Sequence, residues 1–202
     1  MLNDTALNTP LGHIGHAAPP SSQPLSDVAL LVEAIVFALC DRPDETCVKE
    51  VEGAQATMIE VGVAREDHGK VIGKKGRTAN AVREILKAVG GKRNRRFALE
   101  LLEGVSPSSR PAPSFNDSPI DSTRELLAMI VQSIVDHGGD VVVTPLVGTQ
   151  AVVYEVRVNP VDVRRLVGRR GHMADAIREL LTNLGSRAGK RFMLEVIEPD
   201  DE

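Results

Sequence analysis

Two short stretches of this chain are built for gripping an anion. Gly73-Lys74-Lys75-Gly76 and Gly168-Arg169-Arg170-Gly171 each hold two cations between two glycines and run directly into a helical pattern. Glycines at both ends of so tight a turn allow backbone angles and approach distances that a Cβ would block. The turn feeds a helix N-terminus, whose free N–H groups and dipole favour a phosphate, and the central cations can pair with neighbouring phosphates. Taken singly, such a G-x-x-G turn is a weak signal. It gains weight from its surroundings: Val71-Ile72 and Leu166-Val167 precede the two turns, and the whole arrangement occurs twice.

No constellation for covalent chemistry accompanies the loops. The run Gly69-Lys70-Val71-Ile72-Gly73 lacks the spacing and terminal Lys-Ser/Thr of a nucleotide-binding P-loop. No paired carboxylates, nucleophile elbow or metal cluster recurs in both copies, so the expectation is a protein without catalysis and without a cofactor. His13 and His16, near the start, have no further ligands to make a metal site with. Cys40 and Cys47 align with Val135 and Val142 of the second copy, which makes them core residues rather than redox groups.

The elements that must position the loops are themselves duplicated. Leu31 to Glu103 aligns without a gap onto Leu126 to Glu198, with roughly a third of positions identical. In a chain of 202 residues this predicts two tandem domains rather than a solenoid. The expected boundaries are a disordered tail at 1–25, a first domain at 26–103, a flexible Pro/Ser-rich linker at 104–120, a second domain at 121–198 and an acidic end at 199–202. Whether the two domains pack together as an internal pseudo-dimer is open at this level. Treated as a flexible coil, the linker reaches roughly 20–25 Å, a span that would let both loops engage one strand.

Within each copy the pattern predicts helix, strand, strand, helix, loop, helix, strand. Leu30, Leu31, Ala34, Ile35, Ala38 and Leu39 recur at helical spacing, and Ile59, Val61 and Val63 alternate against Met58, Glu60 and Gly62 as a strand with one covered face. Ser122 to Glu125 matches a capping box for the opening helix of the second copy. The helix after the first loop is expected over Arg77 to Val89, stopped by Gly90 as its counterpart is by Gly185.

Net charge is −4, yet its distribution matters more. Met1 to Ala64 carries nine acidic and two basic residues, whereas Arg65 to Phe97 carries eleven basic and three acidic, and Arg157 to Phe192 nine basic and three acidic. A cationic band around each glycine loop on an otherwise acidic body is the footprint of a polyanion-binding face. With four Phe, one Tyr and no Trp, the chain has little with which to stack bases on exposed rings. There is no secretory leader and no apolar run of membrane-spanning length, so the expected location is the cytoplasm, with no membrane contact.

The run Val71-Ile72-Gly73-Lys74-Lys75-Gly76-Arg77-Thr78-Ala79, the Asp67-x-x-Lys70 lead-in and the Val51-Glu52-Gly53 turn resemble a KH domain, and more narrowly the small bacterial KhpA-type RNA-binding proteins. The resemblance covers about three quarters of the chain. Those proteins typically carry one KH domain, so the tandem is a departure. In the second copy Pro160 follows the strand, and Arg165, His172 and Met173 replace Lys70, Arg77 and Thr78.

What the resemblance implies is an α+β fold of two tandem type II-like KH domains, each a three-stranded sheet packed on helices. It further implies a groove for about four unpaired nucleotides, with the loop against the sugar-phosphate and an aliphatic platform under the bases. The residues assigned to RNA binding are then Lys70, Val71, Ile72, Gly73, Lys74, Lys75, Gly76 and Arg77, and Arg165, Leu166, Val167, Gly168, Arg169, Arg170, Gly171 and His172. Val71, Ile72 and Val82 are platform candidates, although Val82 fits the core better. Lys92, Arg93, Arg95 and Arg96 either extend the phosphate track or are simply solvated, and His68 is expected at the surface. The implied partner is single-stranded RNA, or single-stranded DNA, in an RNA-chaperone or post-transcriptional role. The competing class is a scaffold that docks on a ribosomal or larger KH-containing protein, with RNA contact secondary.

Overall fold

The computed structural model describes residues 25–103 and 118–197, so the expected tail except Leu25, most of the linker and the acidic end lie outside the described residues, and Leu25 packs against the core. Each half follows one order. The first is α1 (Asp27–Leu39), β1 (Cys47–Glu52), β2 (Ala56–Val63), α2 (Arg65–Ile72), α3 (Arg77–Arg93) and β3 (Arg96–Glu103). The second is α4 (Pro119–Ile134), β4 (Val142–Val147), β5 (Ala151–Arg157), α5 (Val163–Val167), α6 (His172–Arg187) and β6 (Arg191–Ile197). In both sheets the middle strand pairs antiparallel with the strand before it and parallel with the strand that returns after the two helices. Two α+β domains of tandem KH type are the result.

The alternation read from the sequence decides which sheet face is covered. Ile59, Val61 and Val63 of β2 are buried while Met58 is exposed, and Val152, Tyr154 and Val156 of β5 repeat the arrangement. Tyr154 is wholly buried, with its ring edge-on to Phe192 at 5.4 Å and its hydroxyl donating to the Ile120 carbonyl at 3.1 Å. Burial pushes that phenol up to about 12. Cys40 and Cys47 are free and buried, and burial pushes the Cys40 thiol up to about 11.

Three local expectations are corrected. Gly90 and Gly185 do not end their helices: α3 runs on to Arg93 with Asn94 as a left-handed cap, and α6 to Arg187. Their lack of a side chain serves packing instead, since a Cβ would sit 2.4 Å from the Arg95 carbonyl oxygen in one case and 2.6 Å from that of Lys190 in the other. The opening helix of the second half begins at Pro119, inside the span expected as linker, capped by the Ser118 hydroxyl accepting from the Asp121 N–H. A proline in the first helical turn lacks only a donor that would be unpaired anyway, so Ser118-Pro119 outcompetes the capping box at Ser122.

Helix α1 is buried on most sides, and not along the stripe its periodicity predicts: Val28, Val32, Val36 and Phe37 are covered as well, whereas Leu30 of that stripe is exposed. The second covering comes from the other half of the chain. Helix α1 meets α4 and α6 besides its own sheet, α3 packs along α6, and the buried residues of both halves form one contiguous cluster. Arg187 of α6 donates to the carbonyls of Leu39 at 2.6 Å and Cys40 at 2.9 Å, at the C-terminal end of α1. Lys92 of α3 does the same at the end of α4, donating to the Val135 carbonyl and to that of Gln132 at 3.3 Å. Lys92 and Arg187, like Cys40 and Val135, occupy matching positions in the repeat. A cation set on a helix C-terminus is favoured by the unpaired carbonyls and the dipole there.

Candidate nucleic-acid interface

Both loops have the same backbone. Gly73, Lys75 and Gly76 have φ of +74°, +57° and +76°, and Gly168, Arg170 and Gly171 have +76°, +55° and +82°. The first glycine is needed twice over. Besides its angle, a Cβ on Gly73 would fall 2.0 Å from the Thr78 hydroxyl oxygen, and one on Gly168 would fall 2.8 Å from the Met173 Cβ. At Gly76 the requirement is the angle alone, because nothing lies within 4 Å. Lys75 and Arg170 adopt the left-handed conformation without being glycine, at a cost of about 1–2 kcal/mol each. A strained residue retained in both copies marks a position where the side chain is worth more than the relaxed backbone.

The loop-tip side chains are free for a ligand. Lys74, Lys75, Arg169 and Arg170 are exposed, and none has a carboxylate within ion-pairing distance among the described residues. Lys70 and Arg165, assigned to the same task, are already engaged. Lys70 is bound to Asp41 and Asp67, and Arg165 to Asp136 at 2.8 Å. Val71 and Leu166 are 1% and 0% exposed, so they anchor the loop in the core and offer no platform. Ile72 and Val167 remain half-exposed at the loop, and Val82 is buried. Arg77 and His172 are exposed at the helix starts, with Arg77 3.6 Å from Glu179 of the other half.

The further cations of the first copy mostly have protein partners. Lys92 binds helix carbonyls as described, Arg93 lies 3.4 Å from Asp27, and Arg95 lies 3.1 Å from Glu52. His68 is half-buried rather than at the surface, with its Nε2 enclosed.

A buried carboxylate holds each loop's lead-in helix, and the motif reading did not give it a role. Asp67, at the start of α2, accepts the Arg42 N–H at 2.9 Å and binds Lys70. Asp162, just before α5, accepts the N–H groups of Asp136 and His137 at 3.1 and 2.9 Å and contacts the His137 ring at 3.0 Å. Burial alone would raise both carboxyls, but Lys70 and the Arg42 N–H outweigh it at Asp67, as the two N–H donors do at Asp162, and both fall below the ordinary carboxylate range. The Lys70 ammonium likewise holds Asp41 low. Each copy thereby ties the end of its opening helix to the base of its glycine loop. The signal was present, since Asp41/Asp136 and Asp67/Asp162 are identical pairs in the gapless repeat.

Two strands, a short helix, a strained glycine turn with free cations and a long helix, in this order and twice over, are matched by the family model described as KhpA/KhpB, KH domain, at residues 29–101 and again at 124–196. The chain belongs to this family. RNA-binding protein KhpA of Clostridium acetobutylicum is 49% identical over 72 residues, covering 36% of this chain and 96% of that protein. The proteins of the same name from Borreliella burgdorferi and Chlamydia pneumoniae are 44% identical over 73 residues and 45% over 69, covering 36% and 34% of this chain and 89% and 88% of theirs. Each relative therefore corresponds to about one of the two KH units. Among the described residues no helix is long and apolar enough to cross a membrane, and no group of side chains is arranged to hold a metal ion.

Proposed function

We propose that this KH protein binds single-stranded RNA without catalysing a reaction on it, each glycine loop gripping the sugar-phosphate of about four unpaired nucleotides. The observation that carries this reading is the pair of strained loops whose tip cations, Lys74, Lys75, Arg169 and Arg170, are exposed and unpaired while Lys70 and Arg165 in the lead-in helices are tied to carboxylates. The relatives named as RNA-binding proteins support it. Backbone clamping accounts for most of the affinity, since the aliphatic surface at each loop is small. Two such grips on one chain suit a protein that holds RNA segments in place, as an RNA chaperone or post-transcriptional regulator does. The contacts of Arg187 with the end of α1 and of Lys92 with the end of α4 support an internal pseudo-dimer as the working unit.

The test is a titration of a short unpaired RNA and of a duplex of equal charge across a range of salt. Expected is tighter binding of the single strand, a steep salt dependence, and loss of binding when Lys74, Lys75, Arg169 and Arg170 are all replaced by Asp with the thermal melt unchanged. Equal affinity for strand and duplex reduces the activity to electrostatic adhesion. Unchanged affinity in the fourfold variant removes the loops from the site. Salt-insensitive capture of one defined protein, with no loop-dependent RNA binding, points to the scaffold class.

A further inference from the structure

The contacts between the two halves carry an inference about the shape of the RNA they hold. Arg77 and Thr78, in the first turn of α3, lie against Glu179 and Asn183 in the second half of α6: Arg77 is 3.6 Å from Glu179, and Asn183 donates to the Thr78 hydroxyl at 3.1 Å. The opposite end of α3, at Lys92, reaches Val135, whose neighbour Asp136 binds Arg165 of the second loop's lead-in helix. The opposite end of α6, at Arg187, reaches Cys40 and Asp41, and Asp41 binds Lys70 of the first loop's lead-in. Every member of one set is the repeat counterpart of a member of the other. Such reciprocity defines a two-fold, isologous relation. Helices α3 and α6 therefore run antiparallel, with the glycine loops at opposite ends of the pair. With a rise of about 1.5 Å per residue, the stretch from Asn183 back to His172 sets the start of α6 about 16 Å along the axis from Thr78, near the start of α3.

A two-fold axis perpendicular to two antiparallel helices reverses every direction along them. An RNA strand has a direction, 5′ to 3′, and a chiral groove accepts it one way round. The two grooves are built from the same elements in the same order with the same loop angles, so each takes its strand in the same sense relative to its own long helix. Seen from the whole molecule those senses are opposed. We propose that the chain holds two single-stranded RNA segments at once in antiparallel orientation, either from one strand that turns back on itself or from two strands. This rests on the reading of the glycine loops as RNA grips. It replaces the simpler expectation of one extended strand crossing both loops after a few nucleotides, because a strand leaving the first groove would enter the second in the wrong direction.

The experiment joins two identical short unpaired RNA segments through one short polyether spacer in three ways: natural 3′-to-5′ polarity, 5′-to-5′ and 3′-to-3′. Affinities for the intact chain are compared with that of one free segment. Expected is a gain of about 100-fold or more for at least one inverted linkage, with little gain for the natural linkage until its spacer is long enough to turn back. The gain should vanish in the variant carrying Lys74→Asp and Lys75→Asp, and equally in the one carrying Arg169→Asp and Arg170→Asp. Native mass spectrometry with free segments and with a long continuous strand separates two strands per chain from one folded-back strand, and loop-dependent occupancy of both grooves in either form supports the proposal. A natural linkage that binds as tightly as both inverted ones at the short spacer overturns it, as does an absence of gain for every linkage. Failure of the single segment to bind through either loop is a different result and defeats the RNA-binding reading itself.

Discussion

After the first glycine loop come Arg77 and Asn80, and after the second come His172 and Asp175 at the matching positions. The φ angles of the two loops agree to within 6°, so the difference lies in charge and not in shape. Asn80 accepts from Arg83 at 3.1 Å and Asp175 from Arg178 at 2.9 Å, the same contact with one added negative charge in the first turn of α6. That carboxylate sits beside Gly171, where a phosphate would approach, and it opposes the attraction of the helix N-terminus. The support under the loop differs too. In the first copy Thr78 lies beneath Gly73 and is hydrogen-bonded by Asn183 from the other half, whereas in the second the apolar Met173 lies beneath Gly168. On the proposed reading of the loops as phosphate grips, the one scaffold favours the first loop over the second.

The sharpest way to break this comparison is to reverse charge at one loop at a time. Lys74→Asp with Lys75→Asp should weaken binding of a short single strand by about 100-fold or more, and Arg169→Asp with Arg170→Asp by several-fold less. Fluorescence anisotropy with a labelled RNA decides it. Equal losses would mean that the neighbouring charges at Arg77 and Asp175 do not matter.

Scaffold equality makes a separate prediction. Asp67→Ala and Asp162→Ala each strand backbone N–H groups that are now satisfied by a buried carboxylate, so each should cost about 1–3 kcal/mol of stability, and by similar amounts. Both carboxyls are depressed in the folded state. A depressed carboxyl stabilises the fold above its unfolded value near 4, and that contribution is lost as pH falls through the folded value. Denaturant melts from pH 7 downwards should therefore show the wild type losing stability in acid, with each variant less stable at neutral pH and less sensitive to acid. A variant with unchanged acid sensitivity would show that its carboxylate is not the group being protonated.

The smallest effect should come from Asp175→Asn, which gives the second loop the neutral residue of the first. Binding to a chain whose first loop is disabled should tighten about two- to fivefold, from the removal of one charge at a helix N-terminus. Weaker or unchanged binding would show that Arg178 already neutralises Asp175.

Much of the site was legible in the residue order because it is local. A glycine turn needs only its own φ angles and a neighbour five residues on, and both sit in one continuous stretch. Strand alternation and the gapless repeat are local in the same way. Legibility stopped where one residue type serves two purposes. Gly90 and Gly185 looked like helix stops and are close-packing positions; Lys70 and Arg165 looked like phosphate ligands and are held by Asp41 and Asp136. Val71 and Leu166 carried the motif but point into the core, leaving Ile72 and Val167 at the surface.

The order of residues by itself determined two KH units, their sheets, the strained turns and the cationic band around each, since these follow from short-range sterics, periodicity and charge count. Only the tertiary structure decided that α1 is covered on two faces, that Lys92 and Arg187 cap helices of the opposite half, and that the two loops lie at opposite ends of an antiparallel helix pair. The reason is physical. Contacts between halves join residues from 40 to 148 positions apart, such as Lys92 with Gln132 and Arg187 with Leu39, and depend on how two apolar helix faces fit together, which no pattern within either copy encodes.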